Sequence, residues 1–144
     1  MNRRLLLSLL FQAITVACGS PSTSVGTGQA RTDKPSRLVT VWRPIGTWSG
    51  HGNRQTESFT SDTGALRVRW STRSAAPEAD GQFRVTAHSA ISGRLLEQVV
   101  ETRGAGSGTG YVNQDPHVFY LMVESEAVDW TVAVEEGVTA TVTQ

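Results

Sequence analysis

Leu66-Arg67-Val68-Arg69-Trp70 is the stretch that decides the fold of this chain, because apolar and charged residues alternate in it without exception. Successive side chains of a β-strand point to opposite faces, so this alternation places Leu66, Val68 and Trp70 on one buried face and both arginines in water. A strand that is apolar on one face only is typical of an antiparallel sheet packed on a core. The stretch therefore predicts an antiparallel β domain.

Two other segments repeat this period-two pattern, residues 82–87 (QFRVTA) and residues 128–135 (VDWTVAVE). In the second segment the alternation is expected to bury Trp130, Val132 and Val134. Both segments are therefore predicted to be strands that contribute one face to the core.

Residues 117–124 (HVFYLMVE) are apolar at almost every position. A continuous apolar run of this length predicts a central strand covered on each side. Its Phe119, Leu121 and Val123 are expected to face the core.

Further strands and turns complete the pattern. The remaining strands are expected at 38–43, 55–60, 94–101 and 110–113. Leucines and valines in 94–101 also fit helical spacing, but glycines flank the segment and favour a strand. Residues 138–144 are expected to add an edge strand or to fray. About eight short strands separated by Gly, Pro and Asp turns predict an all-β, antiparallel, jelly-roll-like β-sandwich.

The first eighteen residues have the pattern of an export signal. Arg3 and Arg4 are followed by an apolar stretch at 5–11, and small residues precede Cys18. The apolar part is too short for a spanning helix, which needs about 20 residues. We therefore expect residues 1–17 to be a cleaved signal peptide.

The residues before the cleavage point, Thr15-Val16-Ala17-Cys18, resemble the lipobox of bacterial lipoproteins. The resemblance implies that the Cys18 thiol is diacylglycerated and its amine acylated, with palmitate-like chains, which hold the protein on the membrane. Gly19 after the cysteine implies the outer membrane where the host has two. Thr15 departs from the family pattern, in which leucine is commoner, and an ordinary signal-peptidase site is the alternative.

The chain is expected to divide into a tether and one domain. Residues 18–37 are rich in Ser, Thr, Gly and Pro, which predicts a flexible tether that begins at the lipidated Cys18. Residues 38–144 are predicted to form the β-sandwich domain. The domain is expected to lie outside the cytoplasm, at the cell envelope.

Charge and cysteine content exclude several classes of function. The chain has 13 Lys and Arg against 13 Asp and Glu, and removing Arg3 and Arg4 leaves eleven against thirteen. No basic stripe remains, which argues against nucleic acid as a partner. One cysteine cannot form an internal disulfide, so the apolar core must hold the domain together.

The order of aromatic and glycine landmarks from residue 46 to residue 136 is similar to that of small exported bacterial β-sandwich domains. The residues that carry this resemblance are Trp48, Gly50, Gly52, Glu57 to Phe59, Leu66 to Trp70, Gly81, Phe83, Gly104 to Thr109, Phe119 to Val123 and Trp130 to Val132. The resemblance implies the fold alone, because it transfers no active residue.

Motifs for phosphate or metal chemistry are weak. Residues 104–110 (GAGSGTG) lack the Gly-Lys-Ser/Thr of a phosphate-binding loop and predict a mobile connection between strands. His51, His88 and His117 lie far apart without metal-ligand spacing, so no metal or cofactor is expected. The turn residues Asp62, Asp80, Asn113 and Asp115 could bind Ca²⁺, but turn chemistry alone explains them.

No catalytic set is recognisable either. A serine elbow of the Gly-x-Ser-x-Gly type is absent, and Ser89 is only a sequence neighbour of His88. The chain is therefore interpreted as a non-enzyme, with an envelope hydrolase as the weakest hypothesis.

Aromatic residues are the candidates for binding. Trp70 and Trp130 belong to alternating core faces, whereas Trp42 or Trp48 could be exposed beside Pro44. The possible ligand-binding residues are Trp48, Tyr111 and Tyr120. The first hypothesis is a structural or interaction module with an envelope protein as partner, and the alternative is a module that binds a carbohydrate such as peptidoglycan. The sequence does not determine the oligomeric state.

Overall fold

The computed structural model describes residues 34–76 and 80–143. Cys18 and the predicted signal peptide lie outside these residues. Within the described ranges no helix is long and apolar enough to cross a membrane. The compact unit of the chain starts at Lys34.

Nine strands form the described part of the chain. They are β1 (Ser36–His51), β2 (Arg54–Gln55), β3 (Phe59–Ser61), β4 (Ala65–Ser74), β5 (Gln82–Ser89), β6 (Leu95–Arg103), β7 (Gly106–Asn113), β8 (His117–Ser125) and β9 (Val128–Thr143). The ambiguous segment 94–101 is a strand, as predicted. Residues 138–143 also belong to a strand, because β9 continues through them in antiparallel pairing with β1.

The strands form two antiparallel sheets that pack as a sandwich. The four-stranded sheet has the order β1-β9-β4-β7, and the five-stranded sheet has the order β2-β8-β5-β6 with β3 also on β8. When the short β2 and β3 are counted as one position, the orders become 1-8-3-6 and 2-7-4-5. This is the double-sheet arrangement of a jelly roll. The predicted fold class is confirmed.

The core lies between the two inner faces. Its buried apolar residues are Leu66, Val68, Phe83, Val85, Ala87, Val112, Phe119, Leu121, Val123, Val128, Trp130, Val132 and Val134. Every core residue predicted from β8 and β9 is among them. Trp70 is only half-buried, although it packs on this core and its ring lies 5.7 Å from that of Phe83.

A β-bulge in β1 decides where its two tryptophans point. The register with β9 shifts between Pro44 and Gly46, which leaves Ile45 as an extra residue. A bulge of this kind reverses the alternation of the strand beyond it. Trp42 therefore lies on the outer face of the four-stranded sheet, whereas Trp48 lies on its inner face.

The glycine-rich segment 104–110 is mostly strand, so the prediction of a mobile connection there was wrong. Only Gly104 and Ala105 form the turn, and β7 begins at Gly106. A Cβ at Gly108 would lie 2.8 Å from the Trp70 ring, and one at Gly110 would lie 2.5 Å from the Val99 carbonyl oxygen. The glycines let an aromatic ring and a neighbouring strand approach the sheet closely.

Two other expectations about strand faces need correction. The outer face of β8 is half-exposed at Val118, Tyr120 and Met122, so this central strand is covered on its inner face and only partly on the other. Arg67 is not in open water, because its side chain is only 26% exposed and pairs with Glu135. In both cases neighbouring side chains on the outer face provide the cover.

Candidate functional site

The outer face of the four-stranded sheet carries an aromatic patch, which consists of Trp42, Arg67 and Tyr111. The three residues come from β1, β4 and β7, and the strand register turns all of them to the same side. The Trp42 and Tyr111 ring centroids are 6.2 Å apart at 52°. The Arg67 guanidinium carbon lies 4.5 Å from the Trp42 ring centroid, which is cation–π geometry. The patch therefore combines stacking surface with a cation.

Gly137 makes this arrangement possible, because it pairs with Trp42 across the sheet. A Cβ at Gly137 would lie 3.2 Å from the Trp42 ring, so a larger residue would crowd the indole. The missing side chain lets Trp42 reach across β9 towards Tyr111. Tyr111 itself is 55% exposed.

Glu135 holds the Arg67 guanidinium of the aromatic patch in place. Its carboxylate accepts hydrogen bonds from Arg67 Nε at 2.7 Å and from Arg69 Nη2 at 3.1 Å. The hydrogen bond from Arg67 lowers the pKa of Glu135, against the opposing effect of burial. Because Glu135 is nearly buried, this charge pair holds the guanidinium of Arg67 in one orientation.

Trp48 closes the edge of the core. Its ring lies 5.7 Å from that of Phe59, and its Nε1–H donates to Glu57 Oε2 at 2.5 Å. The glutamate's own backbone N–H and this indole hydrogen bond lower the pKa of Glu57. Trp48 therefore packs between the sheets rather than on an outer face.

Tyr120 lies on the opposite side of the sandwich. It projects from the outer face of β8 and stacks on His88, with ring centroids 5.1 Å apart at 14°. The structure thus separates Trp48, Tyr111 and Tyr120, the three predicted binding residues. Of these, only Tyr111 belongs to the aromatic patch.

Trp42 is the residue that sequence reasoning placed least well. Its spacing from Trp48 is even, so simple alternation would put both rings on one face. The signal for the true arrangement was Pro44, which removes a backbone donor and favours a bulge at a strand edge. The ring contact between Trp42 and Tyr111 could not be predicted from the sequence, because it depends on which strands become neighbours in the sheet.

A serine and a histidine do meet, but not the pair adjacent in sequence. His117 Nε2 lies 2.6 Å from Ser89 Oγ. The same Oγ accepts hydrogen bonds from the backbone N–H groups of Ile91 and Ser92, and Ser89 is buried. Within the described ranges no carboxylate bonds His117. Ser89 therefore serves a turn here, and the geometry lends no support to a nucleophilic role.

A shallow groove of about 590 Å³ lies at one end of the five-stranded sheet. Arg84 is one of the residues that line it, with Glu101 and Glu124 as its cross-strand neighbours. Arg84 and Glu124 form an exposed ion pair, and such pairs on a surface contribute little to stability. The charges nearly balance, so the groove has no marked preference for an anion or a cation.

Glu136 is a charged residue buried inside the domain. It is 0% exposed, and its carboxylate accepts hydrogen bonds from Ser61 Oγ at 2.7 Å, from the Thr63 backbone N–H at 2.9 Å and from Arg43. Burial alone raises the pKa of Glu136, but these hydrogen bonds outweigh it and lower the pKa to about 2. The carboxylate ties the turn before β4 to β9, so its role is structural.

No cluster of three or more potential metal ligands occurs among the described residues. The turn residues considered for Ca²⁺ are dispersed, since Asp62 and Asp80 each lie near a different arginine, Arg43 and Arg103. The described geometry supplies no candidate cation site.

Comparison with known proteins assigns the chain to no family. No protein family matches it, and no curated protein matches it. One solved structure, titled "Structure of infectious bursal disease virus Gt strain", is similar over 92% of this chain at 12% sequence identity and a TM-score of 0.37. The match spans 43% of that viral chain, less than half of its length.

Proposed function

We propose that the protein is a lipid-anchored module of the cell envelope that acts by binding, as a structural or interaction module, and not by catalysis. The anchor rests on the sequence of residues 1–18, with Cys18 as the acylated residue. Two or more acyl chains on one protein give stable membrane attachment, whereas a single chain gives only marginal binding. The domain would face away from the cytoplasm. In a host with two membranes, the lipid anchor would hold it on the outer membrane.

The aromatic patch is the observation that supports a binding role. Among the Phe, Tyr and Trp side chains in the described part of the chain, Tyr111 is the most exposed, and it lies beside Trp42 and Arg67. Its neighbours are fixed by strand pairing and by the buried Glu135. Rigid aromatic and arginine side chains are the residue types that dominate interface energetics.

The anchor can be tested directly by Cys18→Ser. We expect the variant to move from the membrane fraction to the soluble fraction, because it loses the thiol that carries the acyl chains. Cell fractionation followed by immunoblotting measures the distribution. The control is Ser20→Ala, which leaves the cysteine intact and should stay with the membranes. A Cys18→Ser protein that remains with the membranes would remove lipidation from the proposal.

Carbohydrate binding is the second candidate, favoured by the exposed Tyr111 ring next to an indole. Aromatic side chains with an apolar face and a polar tip suit ligands that are partly apolar and partly hydroxylated. Such a ligand would stack on Tyr111 while Arg67 supplies hydrogen-bond donors at the rim. The partner would then be a wall or capsule glycan rather than an envelope protein.

For a glycan ligand we expect Tyr111→Ala to weaken binding by about tenfold or more, equivalent to about 1.4 kcal/mol of lost stacking. Affinity electrophoresis in gels that contain peptidoglycan fragments or capsule polysaccharide measures this change. Tyr120→Ala is the matched control, since Tyr120 lies on the opposite side of the sandwich. Absence of retardation for the unaltered protein with every glycan would leave an envelope protein as the partner.

A further inference from the structure

β9 has an edge that no described strand covers. β4 pairs with β9 only as far as Glu136, whereas β9 continues to Thr143 with β1 on its other side. Residues 137–143 therefore form, with residues 36–42 of β1, a two-stranded arm that extends beyond the sandwich. In an antiparallel strand every second residue directs its N–H and C=O away from the existing partner. These groups face outward along the open edge, residues 137–143.

Other edges of the described sheets carry features that block further pairing. β1 has Pro44 and its bulge, and β6 has Glu97 and Glu101 together with register shifts against β5. β2 and β3 are two and three residues long. β7 has glycine at 106, 108 and 110, and glycine weakens a strand as a pairing partner. Proteins protect free edges in these ways to prevent unwanted strand addition.

The open edge has none of these protections. Residues 137–143 read Gly-Val-Thr-Ala-Thr-Val-Thr, with no charge and no proline, and their register with β1 is continuous. Val142 is 40% exposed, and Val41, which pairs with Val138 of the same arm, is 45% exposed. An uncharged strand of high β-propensity with free backbone groups is a template for another strand.

We propose that the open edge pairs with the same edge of a second copy of this chain, about a twofold axis at Ala140. The segment 138–142 is a palindrome, Val-Thr-Ala-Thr-Val. Antiparallel pairing centred on Ala140 therefore sets Val138 opposite Val142 of the second copy and Thr139 opposite Thr141. Every cross-strand pair joins identical residue types, and such apolar and Thr–Thr pairs are favourable.

Symmetry and charge both favour a second copy over an unrelated strand. A twofold interface uses the same surface on both partners, so that surface must be complementary to itself. The palindrome at 138–142 meets this requirement. The segment has no charge that would repel its own copy. The resulting assembly joins two four-stranded sheets into one continuous sheet, with β9 of each copy at the centre.

Disulfide trapping tests the register of this pairing. The protein is the mature chain 18–144 with Cys18→Ser, which contains the whole compact unit and no other thiol. Cα atoms of directly opposed antiparallel residues lie about 4.5–5.5 Å apart, within the range that a disulfide bridges. We expect Ala140→Cys to give a covalent dimer on mild oxidation. Val142→Cys is the control, because its two copies would lie roughly 13 Å apart along the strand.

Introducing like charges tests the same edge in solution. Sedimentation velocity over a range of concentrations measures the dimer dissociation constant. Thr139 and Thr141 are both exposed, so changing both to lysine should leave the fold intact and place like charges opposite each other. We expect the dimer dissociation constant to rise about tenfold, and mixing with the Thr139→Glu/Thr141→Glu protein to restore association. Ser107→Lys/Thr109→Lys on β7 has the same spacing on the other edge and should leave association unchanged.

Three outcomes would overturn the proposal. The first is a protein that sediments as a monomer up to about 1 mM, which corresponds to about −4 kcal/mol of association. The second is equal cross-linking of the Ala140→Cys and Val142→Cys proteins, which would indicate random collision. The third is a dimer that tolerates both lysines, which would place the contact elsewhere on the chain.

Discussion

Trp130→Ala is expected to lower the free energy of unfolding by about 3–5 kcal/mol, as large-to-small changes of buried aromatic residues do. Trp130 is 2% exposed, and its Nε1–H donates to the Gly52 carbonyl at 2.9 Å. Its ring also contacts the backbone at Gly50, where a Cβ would lie 3.0 Å from the indole. The substitution thus creates a cavity and removes the hydrogen bond that fixes the turn after β1.

Urea unfolding followed by far-UV circular dichroism measures this loss, which is a large part of the roughly 5–15 kcal/mol typical of a domain. Trp42→Ala is the matched control. Trp42 lies on the outer face and is half-buried, so its removal should cost about 1–2 kcal/mol through lost aromatic and cation–π contacts. Equal losses for the two tryptophans would contradict the assignment of inner and outer faces.

Glu136→Gln is expected to destabilise the domain by about 3 kcal/mol at neutral pH. The carboxylate accepts hydrogen bonds from Ser61, Thr63 and Arg43, and it is fully buried. The amide has one acceptor oxygen and brings an N–H₂ group towards donors, which leaves buried donors without partners. Glu124→Gln is the control, because its ion pair with Arg84 is exposed and should contribute less than about 1 kcal/mol.

The Glu136 carboxylate also makes the free energy of unfolding depend on pH in the acid range. Its pKa is lowered from the ordinary value of 4.5 to about 2 in the folded protein. The stabilisation is therefore fully present above pH 4.5 and is lost as pH falls towards 2, by about 3 kcal/mol in total. Urea unfolding at intervals from pH 6 to pH 2.5 should show this decline in the unaltered protein and a flatter curve for Glu136→Gln. Parallel curves would show that Glu136 does not carry the acid dependence.

Much of the fold could be predicted because strand periodicity is a local property. The alternation around Trp70 and Trp130 required an apolar face, and all the residues expected to be buried in β8 and β9 are in the core. The sandwich follows from many such strands separated by turns. Which strands become neighbours depends on contacts between distant segments, and no local pattern records them.

Features that break the alternation could not be predicted in the same way. One extra residue, Ile45, moved Trp42 to the opposite face from Trp48. Glu136 follows Glu135 at the end of an alternating run. No local pattern predicts that the three groups that bond its carboxylate come from distant parts of the chain. The glycines of β7 resemble a loop in composition, although Gly108 and Gly110 are needed where a ring and a neighbouring strand come close. The aromatic patch was therefore foreseen only at Tyr111.

The pairing of β1 with β9 has a consequence for how the chain folds. Ser36 pairs with Thr143, and Trp48 pairs with Val132, so the first and last described strands are adjacent. A chain dominated by such distant pairings has a high contact order, and chains of this type fold in milliseconds to seconds rather than microseconds. During synthesis β1 stays without its partner strand until β9, which begins 77 residues after the end of β1, has also emerged. A chaperone that shields β1 during this delay would raise the yield without changing the final thermodynamic balance.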